Sequence, residues 1–182
     1  MSLPKYKYLL TYRYAEIIHD LTVDFCRKYI DYRSRTKDQM EQGARSGKQN
    51  IVEGVDQSDT SKKGEIKLLG IAKSSFTELL TDYEDYLRQH DFPIYPKSHP
   101  KVTLFRQTAY RLSHLSNLDN LGNLKEKPVL LSPSEDAANF LLTLCHLETY
   151  LLDKQIKAME TRFIEKGGYT ENLFKRRIQA KI

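Results

Sequence analysis

Apolar residues recur every three or four positions through most of this chain, the spacing that gives an α-helix one buried face. Four long stretches show this pattern, at about 8–32, 37–56, 62–89 and 135–166. We find no alternating strand pattern and no internal repeat. Four long amphipathic helices with short links predict an all-α chain, arranged as an antiparallel up-down four-helix bundle.

The prolines indicate where this pattern is interrupted. Five of the six prolines fall within residues 91–133, between the third and fourth long helices. We predict an insert there, with one shorter helix over 102–115 and a loop over 117–128. Gly167 and Gly168 then end the last long helix, as glycines commonly do at a helix C-terminus. The predicted organisation is therefore a bundle over 1–166 and a suffix over 167–182 that contains a short basic helix, 171–179.

The apolar face of the second helix is unusually thin. Its stripe runs Met40, Ala44, Gly47, Ile51 and Val55. Glycine in the interior of a helix lowers helix stability by about 1 kcal/mol relative to alanine, so a glycine on a buried face needs a structural reason. We expect another helix to approach closely at Ala44 and Gly47.

The net charge of +5 is concentrated near the C-terminus. Residues 154–182 hold eight basic and three acidic side chains, so residues 1–153 carry no net charge. A basic tail on a neutral body indicates an anionic partner. A solvated helix end, where cations suit the helix dipole, is the alternative. The candidate nucleic-acid-binding residues are Lys166, Lys175, Arg176, Arg177 and Lys181, followed by Arg45 and Lys48 on the second helix.

Composition restricts the setting of the chain. The start has no apolar core of a secretory signal, and no stretch approaches about 18 uncharged apolar residues. Cys26 and Cys145 are too few for a disulfide framework or a metal set, which suits a reducing cytoplasm. We therefore expect a cytoplasmic protein with no membrane partner.

No pattern in the sequence indicates catalysis. Glu16 and His19 match one Glu-x-x-His element of a carboxylate di-iron bundle, but no other histidine stands three residues after a glutamate. Cys145 lacks a supporting nucleophile motif. Glu78, Asp82 and Asp85 lie on one face of the third helix, which predicts a solvated or inter-subunit acidic face. We predict no catalytic residue, no cofactor and no metal.

One segment resembles a known bacterial family. Asn50, Ile51, Glu53 and Gly54 match the Asn-Ile-x-Glu-Gly hallmark of the 23S rRNA intervening-sequence proteins. Further matches are Ala72, Ser75, Glu78 and Leu79 on the next helix, and Gly167 and Gly168 in a C-terminal suffix found in one branch of that family. The chain departs from many members at Ser46-Gly47-Lys48-Gln49, where they have Ser-Ile-Pro before the asparagine.

The resemblance implies an all-helical protomer, a ring-shaped homopentamer and a binding or scaffolding role without catalytic residues. It implies a structural role for Asn50, Ile51, Glu53, Gly54, Glu78, Gly167 and Gly168. Our first hypothesis is an oligomeric interaction protein that binds RNA, DNA or a nucleic-acid enzyme. A purely structural homo-oligomer is the alternative, and a metal-dependent bundle enzyme is a more remote one.

Overall fold

A computed structural model describes residues 3–180, without the side chains at positions 166 and 170, and most of this part is helical. Within this part, no β-strand is formed, and Leu118 and Leu124 make one isolated bridge. A short 3-10 helix, Lys5–Tyr8, precedes the first α-helix. The α-helices are α1 Leu10–Tyr29, α2 Arg35–Gln57, α3 Lys62–Gln89, α4 Pro100–Ser113, α5 Ser134–Lys166 and α6 Tyr169–Gln179. The prediction of an all-α chain is confirmed.

The helix ends follow local chemistry. Ser34 caps α2, because its hydroxyl accepts from the Thr36 N–H at 3.2 Å. α5 begins at Ser134 itself, with Pro133 in the capping position and no side-chain bond. α4 starts at Pro100, because a proline suits the first helical position, where its missing N–H costs nothing.

The core lies between four long helices. α2 packs against α1 and α3, and α5 packs against α1 and α3. α4, from the insert, lies against α1 and α5. The largest fully buried side chains come from α1, α2, α3 and α5: Phe25, Ile17, Ile18, Leu21, Met40, Ile51, Tyr83, Phe76, Leu69, Leu79, Leu87 and Phe140. The insert is thus part of the same core, and the Phe105 ring of α4 lies tilted against the Phe140 ring, with 5.2 Å between ring centroids.

The thin face of α2 receives an aromatic ring from α3. A Cβ built on Gly47 would lie 2.6 Å from the Phe76 ring, too close for any side chain. Gly54 also faces the first turns of α3, but a Cβ there would make ordinary contact at 3.5 Å. The predicted close approach is therefore confirmed, and α2 and α3 are the helices that make it.

A buried arginine joins the N-terminal segment to the insert. The Arg13 guanidinium donates to the carbonyl of Lys7 at 2.9 Å and to the carbonyl of Ser113 at the end of α4. These two acceptors are 106 residues apart in the chain, and Arg13 is only 5% exposed. A charged side chain in such a place is stabilised by its hydrogen bonds to otherwise orphaned carbonyls.

Both cysteines are free thiols inside the core. Cys26 and Cys145 are fully buried. Burial raises the pKa of the Cys26 thiol to about 12 and raises that of Cys145 as well. Neither thiol is therefore ionised at neutral pH, and both act as small apolar core groups.

Among the helices in the described part of the chain, none combines the length and apolarity that a membrane span requires.

Candidate nucleic-acid interface

Two glycines make the junction between α5 and the basic suffix helix. Gly167 ends α5 with φ of 71°, a left-handed conformation that glycine adopts without strain, and its N–H donates to the Phe163 carbonyl at 2.9 Å. Gly168 precedes α6, and its N–H donates to the Glu171 carboxylate. A Cβ at Gly168 would lie 2.9 Å from the Phe163 ring. These two glycines separate α5 from α6.

The basic residues of α6 are all exposed. Lys175, Arg176 and Arg177 lie within this helix, and every α6 side chain that the structure describes is exposed to solvent. Consecutive helical residues point about 100° apart, so these three cations spread around the helix rather than forming a patch on one side. Such a helix can present positive charge to a phosphate backbone in several orientations.

The same helix exposes apolar side chains. Phe174 is 63% exposed and Tyr169 is 52% exposed, and Leu173 and Ile178 are also open to solvent. Phe174 and Ile178 are one helical turn apart, and so are Tyr169 and Leu173. Arg177 follows Leu173 by one turn, so it lies among the apolar residues. α6 is therefore a short, amphipathic and basic helix that its own chain leaves uncovered.

The other candidate cations have different surroundings. Arg45 is exposed on α2. Lys48 is half-buried, and its Nζ lies 3.2 Å from Nδ1 of His19 on α1. Lys166 is the last residue of α5, but its side chain lies outside the described residues, as does the whole of Lys181. The structure therefore places the candidates on three elements, with Lys48 engaged inside the helical body.

The family-motif residues occupy the contact between α2 and α3. Ile51 is fully buried, and Gly54 packs against α3. The Asn50 amide donates to the carbonyl of Ser46 at 2.9 Å and to its hydroxyl at 3.2 Å. Ser75 of α3 donates to that same Ser46 hydroxyl at 3.3 Å. Asn50 thus takes part in a small polar network between the two helices, whereas Glu53 is exposed.

An acidic face runs along the second half of α3. Glu78 and Asp85 are exposed, and Asp82 between them is half-buried. Partial burial, together with the charges of Asp85 and Glu78, raises the pKa of Asp82 to about 6. The face is a site of accumulated negative charge, which a cation from elsewhere would stabilise.

Glu16 and His19 contact other side chains of the protein. Glu16 Oε1 accepts from Lys7 Nζ at 3.0 Å and from the Tyr12 hydroxyl at 3.2 Å. His19 Nδ1 faces Lys48. Within the described residues, no three His, Cys, Asp or Glu side chains come together as metal ligands would.

Sequence reasoning missed several buried ionisable groups besides Arg13, among them Lys7 and Glu148. Lys7 is 9% exposed and pairs with Glu16. Glu148 of α5 is fully buried, and neither of its carboxyl oxygens has a hydrogen-bond partner in the described part of the chain. Glu148 stands three residues after Cys145 and four before Leu152, both buried. This spacing was the available signal, since it places the glutamate on the apolar face of α5.

Comparison with family models, with curated proteins and with solved structures gives no match to this chain. The likeness to the intervening-sequence proteins therefore rests on the motif residues themselves.

Proposed function

We propose that this chain is a non-catalytic interaction protein that binds nucleic acid, or an enzyme acting on nucleic acid, through α6. The observation that carries the proposal is the exposure of α6, a helix with three consecutive cations. Basic side chains that neutralise phosphates release counterions, and this effect supplies affinity without reading sequence. The resemblance to the bacterial intervening-sequence proteins supports a binding or scaffolding role.

The proposal includes the arrangement and setting of the protomer. We infer an antiparallel up-down four-helix bundle of α1, α2, α3 and α5, because short links join α1 to α2 and α2 to α3. We infer a cytoplasmic location, since two buried free thiols suit a reducing compartment. The bacterial origin and the homopentamer come from the resemblance.

The binding test compares the wild type with a variant in which Lys175, Arg176 and Arg177 are all replaced by Ala. Fluorescence anisotropy with labelled RNA and DNA is recorded at two salt concentrations. For the wild type, the logarithm of affinity should fall by roughly 0.7–0.9 per phosphate contact for each tenfold rise in salt. Different sequences should bind alike, since α6 offers no element that reads base edges. The variant should bind more weakly and show a shallower salt dependence.

A control of equal charge change separates a local contact from a general effect of net charge. Replacing the exposed residues Lys63, Lys67 and Lys127 by Ala removes the same three charges from the helical body and the insert. This control should bind as the wild type does. If both triple variants lose the same affinity, only the overall charge matters, and the proposed role of α6 is wrong.

The oligomer is tested by light scattering coupled to size-exclusion chromatography. A pentamer should have about five times the protomer mass of 21.3 kDa. In a ring, each copy would present α6, so weak single contacts could add as avidity. A mass of one protomer across micromolar concentrations would contradict the oligomer.

A structural homo-oligomer remains the second candidate, and the charges of α3 and α6 favour it. The acidic face of Glu78, Asp82 and Asp85 is complementary to a basic, partly apolar helix from another copy. In that case, the α6 triple variant would lose the oligomer as well as any binding to RNA. If the variant keeps its mass and loses only RNA binding, the nucleic-acid role is supported instead.

A further inference from the structure

A groove lies where the insert meets α5, away from the residues discussed so far. Its volume is about 380 Å³, within the range of small-molecule sites. One wall comes from residues 94–97 and from the side of α4 that carries Val102 and Arg106. The other comes from α5, where Asn139, Thr143, His146 and Tyr150 recur at helical spacing.

Three basic side chains line this groove, and none of its lining residues is acidic. They are Lys97 of the insert, Arg106 of α4 and His146 of α5. Elsewhere on α4, cations are paired, since Lys101 contacts Asp136 at 2.7 Å and Arg111 pairs with Glu126. Lys97 and Arg106 are exposed, and neither forms an ion pair within the described part of the chain. The groove therefore brings these two cations together with a histidine on a concave surface.

Burial and neighbouring charges both act on His146. Partial burial lowers its pKa, Glu84 on α3 raises it, and the smaller effects of Lys97 and Arg106 lower it. With its pKa below the ordinary value, the imidazole is neutral at pH 7, and a neutral imidazole can still donate one N–H to an anion.

The wall formed by the insert is held in place before any ligand binds. Asn139 is 2% exposed, and its Oδ1 accepts from the Tyr95 N–H at 2.8 Å. Its Nδ2 donates to the carbonyl of Pro93 at 3.0 Å. The Tyr95 ring stacks on His99, with 4.2 Å between centroids, and its hydroxyl contacts the carboxylates of Glu135 and Asp136 at 2.7 Å. These bonds fix residues 93–99 against α5, so little ordering would be needed on binding.

Apart from Asn139 and Thr143, the rest of the lining is apolar or aromatic. Leu142 and Leu147 of α5 lie beside Val102 of α4 and Ile94 of the insert, and the Tyr150 ring is 59% exposed at the edge. A guanidinium suits the planar, bidentate binding of a phosphate, and a lysine adds a point charge. The apolar lining suits a flat or aliphatic group attached to that phosphate.

We propose that this groove binds a small phosphate ester whose other part is aromatic or apolar. Arg106 and Lys97 contact the phosphate, His146 donates a third hydrogen bond, and the ring of the ligand packs on the apolar lining. The site is independent of α6 and goes beyond the proposed nucleic-acid role.

The test uses phenyl phosphate as the probe, with the full-length protein labelled with nitrogen-15 and observed by NMR. Inorganic phosphate and phenol serve as the two halves of the probe. We expect phenyl phosphate to bind with a dissociation constant below about 1 mM, and each half to bind at least tenfold more weakly. Backbone signals of residues 94–97 and of α5 near His146 should shift. Signals of α6 should not, which separates this site from the proposed nucleic-acid interface.

Two variants in the groove and one outside it decide the matter. Arg106→Gln and Lys97→Gln should each weaken phenyl phosphate at least tenfold, since each loses a charge-assisted bond. Arg35→Gln on α2, which removes another exposed cation, should bind as the wild type does. Because all three residues are exposed, folding should be preserved, and circular dichroism checks it. Equal binding by all three variants, no saturable shift, or equal affinity for inorganic phosphate would overturn the proposal.

Discussion

Glu148 allows a sharp test of the packing of α5, because its carboxyl group is buried without a partner. The side chain is fully buried, and neither carboxyl oxygen accepts a hydrogen bond from any described residue. Burial raises the pKa of Glu148 well above its ordinary value of 4.5. In the unfolded chain the same group ionises near pH 4.5. The folded protein must therefore hold a proton that the unfolded chain releases as the pH rises.

The sign and size of the effect follow from this difference. The contribution of Glu148 to stability is complete below pH 4.5 and is lost as the pH rises towards the folded-state pKa. The loss reaches about 1.4 kcal/mol for each pH unit. Between pH 5 and pH 7, the free energy of unfolding should therefore fall by up to about 2.7 kcal/mol on account of this one group.

Two substitutions separate ionisation from burial. Glu148→Gln removes the ionisation but leaves a buried amide without partners, so it should abolish only the pH-dependent change in the free energy of unfolding. Glu148→Met removes both the ionisation and the buried polar group, and an apolar side chain of similar length suits the core. Relieving a buried unpartnered polar group is worth about 1–3 kcal/mol, in addition to the pH-dependent gain. The Met variant should therefore be the most stable of the three proteins at pH 7.

Urea unfolding followed by circular dichroism at pH 5, 6 and 7 measures these differences. Since the chain has no tryptophan, helical signal is the more direct probe. Glu53→Gln, a matched change at an exposed glutamate of α2, should alter stability by less than about 0.5 kcal/mol at every pH. If the wild-type and Met proteins differ by the same amount at pH 5 and pH 7, the inferred burial of an ionisable Glu148 is wrong.

Two further predictions concern α2 and α3. Gly47→Ala should destabilise the protein, because the added methyl would meet the Phe76 ring at 2.6 Å. The cost of overpacking, about 1–3 kcal/mol, outweighs the gain in helix propensity, about 1 kcal/mol. Gly70→Ala, whose methyl would meet nothing within 4 Å, should stabilise the protein, and thermal unfolding measures both variants. Asp82 should titrate near pH 6 when it is followed by carbon-13 NMR. Asp85→Asn should lower the pKa of Asp82, because it removes a neighbouring negative charge. An unchanged titration would show that burial alone sets the pKa of Asp82.

The helices could be predicted from sequence wherever the apolar stripe was regular. α3 runs from Lys62 to Gln89, the bounds that its stripe and the preceding serine indicate. The stripe of α1 through Ile17, Ile18, Leu21 and Phe25 is fully buried, as its spacing predicts. Both are local patterns, set by residues three and four positions apart.

Features that depend on distant residues could not be read in this way. The burial of Lys7 depends on Glu16 and on the Tyr12 ring, and the turn that brings them together has no sequence marker. In α5, Lys154 follows the apolar spacing yet is exposed, whereas Glu148 is buried although a glutamate normally marks a solvated face.

The groove was missed for a related reason. Lys97, Arg106 and His146 lie far apart in sequence and on three different segments, and only the anchoring of the insert by Asn139 brings them together. The positive charge of α6, by contrast, can be read from the sequence, because its three cations are consecutive. Its exposure cannot, because exposure depends on whether other parts of the fold pack against the helix.

The buried state of the two native thiols makes this chain convenient for site-selective labelling. Maleimide reagents attack the thiolate, and neither Cys26 nor Cys145 is accessible or ionised at neutral pH. A cysteine introduced at an exposed position, for example by Gln179→Cys on α6, would therefore react alone, with no need to remove the native pair. Fluorophores attached there could count subunits by stepwise photobleaching and follow the movement of α6 when a partner binds.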